Sequence, residues 1–201
     1  MNNLVRWLVI VVLVAIYAVA LASVLHPHLS SQYRAFYIDH TWTDYNPSRY
    51  EATPEQGITF SRPGLPPWVR TTLGMGFRDD WGRWTDDARS FTPGLIFDRR
   101  FDGDLCVDFT AHAVPWMVGR SIEVRIGGQE KPVRIASEGL TEYQVQFSRL
   151  QSADQLNFVL PSDLPPVAQR YPGSTDERRL GINLDHLRLL NGQCPATAAN
   201  R

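Results

Sequence analysis

Leu105-Cys106-Val107-Asp108-Phe109-Thr110-Ala111-His112-Ala113-Val114 alternates apolar and polar residues with no break before its last position. Leu105, Val107, Phe109, Ala111 and Ala113 fall on one side, and Cys106, Asp108, Thr110 and His112 on the other. Successive side chains of an extended chain point to opposite faces, so this pattern predicts a β-strand with one buried face. Ser121–Ile126 repeats it with Ile122, Val124 and Ile126. Gly127-Gly128 then gives the two-residue turn signal of a hairpin returning through Pro132–Ala136. Tyr143, Val145 and Phe147 alternate again, Leu156–Leu160 is closed by Pro161, and Gly181–Leu190 ends the series. Upstream, Ile58–Phe60, Val69–Met75, Trp81–Trp84 and Gly94–Phe97 are shorter candidates. Roughly ten short strands separated by turns predict an all-β domain, a two-sheet β-sandwich or jelly roll.

The N-terminus is different. Trp7 to Leu25 holds no charged residue. A helix of that length spans roughly 28 Å, near the thickness of a bilayer's hydrocarbon core. Residues 1–25 are therefore expected to form one N-terminal transmembrane helix. Arg6 before it favours a cytoplasmic N-terminus and an extracytoplasmic domain. A cleaved signal peptide is the rival, since Ala20-Leu21-Ala22 resembles a cleavage site, but the apolar run is long for one. Residues 26–56 form an aromatic-rich connector in which Leu29, Tyr33, Phe36 and Tyr37 fall at helical spacing. That face suits either a membrane surface or the following domain. Residues 57–194 make the β domain and 195–201 a disordered tail.

The formal net charge is −1 and Lys131 is the only lysine, so no basic cluster exists to neutralise phosphates, and nucleic acid is excluded as a partner. Cys106 and Cys194 form an even pair outside the cytoplasm, which favours a disulfide over two free thiols. The sequence has no nucleophile elbow, zinc-protease helix, phosphate loop or calcium loop. No catalytic residue, metal or cofactor is assigned. His112 lies on the polar side of its strand, where a hydrogen-bonding role is expected.

The most distinctive stretch is Trp81-Gly82-Arg83-Trp84-Thr85-Asp86, preceded by Asp79-Asp80, which read as a turn. Trp81 and Trp84 are three apart and would face opposite ways on a strand. An exposed tryptophan beside Arg83 and Asp86 is a platform for a sugar ring, its face stacking on C–H groups while charged groups take hydroxyls. The other reading makes both tryptophans core anchors, with Arg83 satisfying a carboxylate. Asp176-Glu177-Arg178-Arg179 precedes the last strand, and Asp176, Arg178 and Arg179 are salt-bridge candidates, the arginines toward Asp86 or Asp79.

Gly64-Leu65-Pro66-Pro67-Trp68-Val69, Gly74-Met75-Gly76-Phe77, Trp81-Gly82-Arg83-Trp84-Thr85-Asp86 and Asp176-Glu177-Arg178-Arg179-Leu180-Gly181-Ile182 together resemble one family. It is the extracytoplasmic C-terminal β-sandwich domain of bacterial membrane glycosyltransferases and phosphoglycerol transferases. The resemblance covers residues 57–190 and lacks the catalytic domain that accompanies the module in those enzymes. It implies an accessory module of the bacterial inner membrane with its domain in the periplasm. Its partners would be the lipid bilayer, an envelope glycan and a membrane glycosyltransferase. A structural subunit that binds no glycan is the alternative. An enzyme using two of the aspartates would need a pair of carboxylates facing across a cleft.

Overall fold

The computed structural model describes residues 3–25, 38, 49–86 and 92–195. A helix, α1, occupies Asn3–Leu25, and its described side chains, Trp7, Ile10, Leu13, Ile16 and Tyr17 among them, are exposed. Among the described residues no helical stretch is long and apolar enough to be assigned as a membrane crossing. α1 therefore stands as a helix and not as a demonstrated span. The proposed surface helix of the connector and the tail beyond residue 195 lie outside the described residues.

The all-β expectation holds for the domain that follows. Nine strands appear in chain order: β1 (Ile58–Thr59), β2 (Val69–Leu73), β3 (Met75–Asp79), β4 (Gly82–Asp86), β5 (Gly94–Ala113), β6 (Ser121–Ile126), β7 (Gln129–Arg134), β8 (Thr141–Val159) and β9 (Leu180–Asn191). A 3-10 turn at Pro115–Met117 follows β5, and a one-turn helix, α2 (Val167–Arg170), precedes β9. Every strand pair is antiparallel, in the order β3-β4-β9-β5-β8-β6-β7, with β1 added to β9 and β2 to β5. The predicted hairpin at Gly127-Gly128 is present, with Ile126 opposite Gln129 and both glycines at positive φ.

The structure departs from the expected short strands in one respect. Gly94–Phe97 and Leu105–Ala113 belong to one long strand, with Val114 just beyond it, and the segments around Tyr143 and Leu156 likewise form one strand. The register of β5 on β8 shifts three times between Ile96 and Leu105. There Asp102 Oδ1 accepts the Ser152 N–H at 2.6 Å and Asp104 Oδ1 accepts the Arg149 N–H at 2.9 Å, both donors lying at positive φ. Polar residues and a glycine thus mark a corner that bends both strands without ending them, since bulges kink a ladder without breaking it. The result is one hydrogen-bonded sheet curled over on itself, in place of two separately bonded sheets.

The core fills the curl. Leu105, Val107, Phe109, Ala111 and Ala113, the apolar face read from sequence, are all buried, along with Ile122, Val124, Ile126, Phe147, Leu156, Phe158, Ile182, Leu184 and Leu187. Cys106 and Cys194 are disulfide-bonded across a sequence separation of 88, with Cα atoms 4.9 Å apart. Gln146 holds the same corner: its Oε1 accepts the Cys194 N–H at 2.7 Å and its Nε2 donates to Gly192 O at 3.1 Å. Closing a loop of that length contributes about 4–5 kcal/mol in the chain-entropy model. Replacing both cysteines by alanine is expected to lower stability by about 2–5 kcal/mol in urea unfolding. An unchanged midpoint would mean the bridge constrains nothing that the sheet does not already fix.

Candidate functional site

The β3–β4 hairpin turns through Asp80 and Trp81, with Asp79 opposite Gly82. Trp81 is therefore a turn residue and not the first residue of a strand. The Asp79 carboxylate decides this: its Oδ1 accepts the Trp81 N–H at 2.9 Å, an Asx-type bond that replaces a ladder bond. Trp81 is 62% exposed as a consequence.

Cross-strand pairing determines what surrounds it. Trp84 lies opposite Asn183, and Asn183 opposite His112, so these three share one face of β4, β9 and β5. The Trp81 ring leans back onto this row, its centroid 5.4 Å from that of His112 at a 38° tilt. Asn183 is fully buried and its Nδ2 donates to Asp79 Oδ2 at 3.2 Å. Its Oδ1 finds no hydrogen-bond donor among the described residues. Gly82 covers this amide at φ +135°, and a Cβ there would meet Leu184 O at 2.0 Å and Asn183 Oδ1 at 2.5 Å. The glycine is what allows the hairpin to lie against β9.

The charged residues of the run, Arg83 and Asp86, are buried. Arg83 lies opposite Leu184 on the core face and is 1% exposed. Asp86 is equally buried, and its Oδ1 accepts the Arg179 N–H at 3.3 Å. Trp84 is half-buried and packs against the core. The structure thus separates the four residues expected to form the sugar platform: Trp81 at the surface, Trp84 partly covered, Arg83 and Asp86 inside. His112, Asp79 and Asn183 take the places beside Trp81. Strand pairing brings them together, and a sequence without register could not show it.

The Asp176-to-Arg179 stretch does meet β4, and the Arg178 guanidinium lies within electrostatic reach of Asp86 and Asp79. Arg178 forks onto Asp176, with Nε to Oδ1 at 2.9 Å and Nη2 to Oδ2 at 2.6 Å. Arg179 reaches Asp86 through its backbone, while Thr85 Oγ1 accepts the Ile182 N–H at 2.9 Å and donates to Ile182 O at 3.0 Å. Those two bonds close the ladder where the β4–β9 register shifts. No trio of His, Cys, Asp or Glu side chains among the described residues is grouped to hold a metal.

Two measurements check this geometry. Gly82→Ala should destabilise the domain by about 1–3 kcal/mol and speed amide exchange at Trp81, because either the hairpin or β9 must shift. Wild-type exchange at Trp81 would show that the close approach is not required. The second concerns acid. The hydrogen bonds from Arg178 hold the Asp176 carboxyl below the ordinary aspartate value, with partial burial opposing them. A lowered folded-state pKa adds stability that is fully present above the unfolded value of about 4 and lost as pH falls through the folded one. The pair is part-exposed, at 26% for Asp176 and 41% for Arg178, so its contribution is under about 1 kcal/mol. Asp176→Asn should remove a small share of the stability at pH 7 and flatten the fall as pH drops below about 4. Identical pH profiles for the two proteins would show the pair to be neutral.

Residues 43–191 match the family described as a domain of unknown function, DUF7024. The chain is also 24% identical over 148 residues to phosphoglycerol transferase I of Citrobacter koseri (strain ATCC BAA-895 / CDC 4225-83 / SGSC4696), an alignment that covers 74% of this chain and 19% of that protein. The chain thus spans about a fifth of the length of that relative. The matched segment contains the whole curled sheet, with the Trp81 hairpin and the strands beneath it. The chain belongs to the DUF7024 domain family.

Proposed function

We propose that this chain is a membrane-anchored extracytoplasmic accessory module that binds a glycan of the cell envelope beside an enzyme that assembles envelope polysaccharide or glycolipid. In this reading α1 crosses the inner membrane with its N-terminus in the cytoplasm, and the curled sheet lies in the periplasm. The uncharged run from Trp7 to Leu25 supports the anchor, and the Cys106–Cys194 bridge supports an oxidising compartment. The name of the relative, a phosphoglycerol transferase, supports work at the envelope. The module supplies binding, and its partner supplies the chemistry.

One observation carries the glycan reading: the exposed Trp81 ring, steadied by His112, with the Asp79 carboxylate beside it, itself held by the buried Asn183 amide. A fixed aromatic face offers stacking for sugar C–H groups, and the neighbouring exposed carboxylate accepts hydroxyls. The chain has six tryptophans, which makes calorimetry a cleaner test than fluorescence. Full-length protein in detergent micelles is titrated with β-glucan oligosaccharides and with lipopolysaccharide core oligosaccharides. Saturable heat that Trp81→Ala weakens at least about tenfold, with little change in Tm, is the expected outcome. Absence of heat with every oligosaccharide overturns the reading and leaves the alternative, a structural subunit of a membrane glycosyltransferase complex.

A further inference from the structure

A second aromatic feature lies near the first. Four residues beyond His112, the 3-10 turn Pro115–Met117 presents Trp116. Met117 is fully buried and pins the turn, while Trp116 packs half-buried against the core. Facing it is the end of α2. The Val167 N–H donates to Arg178 O at 2.9 Å, the Ala168 N–H to Asp176 O at 2.7 Å, and the Tyr171 N–H to Val167 O at 3.1 Å. Both walls are thus fixed to the sheet or to the segment entering β9.

Between the walls is an open cleft of about 410 Å³ lined by Pro115, Trp116, Arg170 and Tyr171. The Trp116 and Tyr171 rings have centroids 6.0 Å apart and are tilted by 59°, forming a wedge. Arg170 Cζ sits 6.0 Å from the Trp116 centroid, and Arg170 makes no ion pair among the described residues. Tyr171 remains 50% exposed. Such a cleft offers two apolar faces and one planar cation.

We propose that this cleft is a second saccharide subsite that takes a sugar unit bearing an anionic substituent, a phosphate or a carboxylate. The proposal rests on the glycan-binding reading of the Trp81 face and specifies the class of glycan. The tilted rings accept the C–H faces of a sugar, and the guanidinium presents the paired N–H groups that match an anion's oxygens. Cα atoms four residues apart lie at most about 14 Å from one another, so the separation of His112 and Trp116 falls within the length of one oligosaccharide. A proline-rich peptide, the other ligand that aromatic walls attract, needs an extended groove, and among the described residues four line this cleft.

The test titrates full-length protein in detergent micelles with three oligosaccharides of equal length: a neutral β-glucan heptasaccharide, the same heptasaccharide phosphorylated, and an oligogalacturonate. Inorganic phosphate alone is the ion control. Wild-type protein is expected to prefer one of the anionic oligomers by about tenfold at low salt, and which one identifies the substituent. Arg170→Gln should erase that preference and leave neutral affinity unchanged. Tyr171→Ala should weaken all binding; both side chains are exposed, so the variants should keep the wild-type Tm. An anionic preference that survives Arg170→Gln overturns the subsite, while loss of binding in Trp81→Ala would still uphold the glycan reading. Inorganic phosphate binding as tightly as the phosphorylated oligomer reduces the cleft to an ion site and overturns the saccharide assignment. Proline decapeptide binding that Tyr171→Ala abolishes, with every glycan silent, overturns both readings in favour of a peptide.

Discussion

Phe109 stacks on Tyr143, with ring centroids 5.2 Å apart, and meets Phe158 edge-on at 5.3 Å. Both partners belong to β8, fifteen residues apart, a distance of about 50 Å along a straight strand. One ring can touch both only if β8 folds back on itself and β5 folds with it. The rest of the β domain follows from that contact. A folded sheet needs a corner, and Asp102, Gly103 and Asp104 supply one by binding the backbone of the opposite strand. A curled sheet also needs a filling, and burying large aromatic side chains at about 1.5–3 kcal/mol each is what opposes the entropy of ordering so long a chain.

The Trp81 hairpin works against that driving force. A tryptophan left mostly in water forgoes about 3–4 kcal/mol of burial, and the core lies one strand away. The Asp79 carboxylate, the left-handed backbone at Gly82 and the Asn183 amide beneath it all favour the outward turn. Trp84, three residues on, settles partly against the core, beside the β4–β9 register shift. The contrast between two tryptophans of one short run shows local turn chemistry overriding hydrophobic burial, which is how a fixed aromatic surface can be maintained.

The sequence made some of this legible. Period-two alternation located Leu105–Ala113 and its buried face, and the paired glycines located the β6–β7 hairpin. The corner was read as a gap between strands, because Asp-Gly-Asp breaks the alternation as a loop does, and only the opposite strand reveals that those carboxylates are ladder substitutes. Arg83 and Asp86 look like surface groups because charged side chains usually are; their burial depends on β9 pairing with β4 across a long stretch of chain. Trp116, Arg170 and Tyr171 gave no signal, since two ordinary loops far apart in sequence form their cleft.

β9 links the two ends of the domain. Near its C-terminal end Leu190 pairs with Cys106, whose disulfide holds Cys194 just beyond the strand. Toward its start Asn183 supports Gly82 and Asp79, and Ile182 is bonded twice to Thr85. Between these, Asp185 is an extra residue in the pairing with β5, and its carboxylate accepts the Thr110 hydroxyl at 3.1 Å. A slip of one residue would exchange the faces of the whole strand, sending Leu184 outward and Asn183 into the core. The disulfide, the bulge and the Thr85 bonds each resist that slip from a different point along the strand. The position of Trp81 over His112 is therefore set by register, through β9, from the corner where the sheet folds.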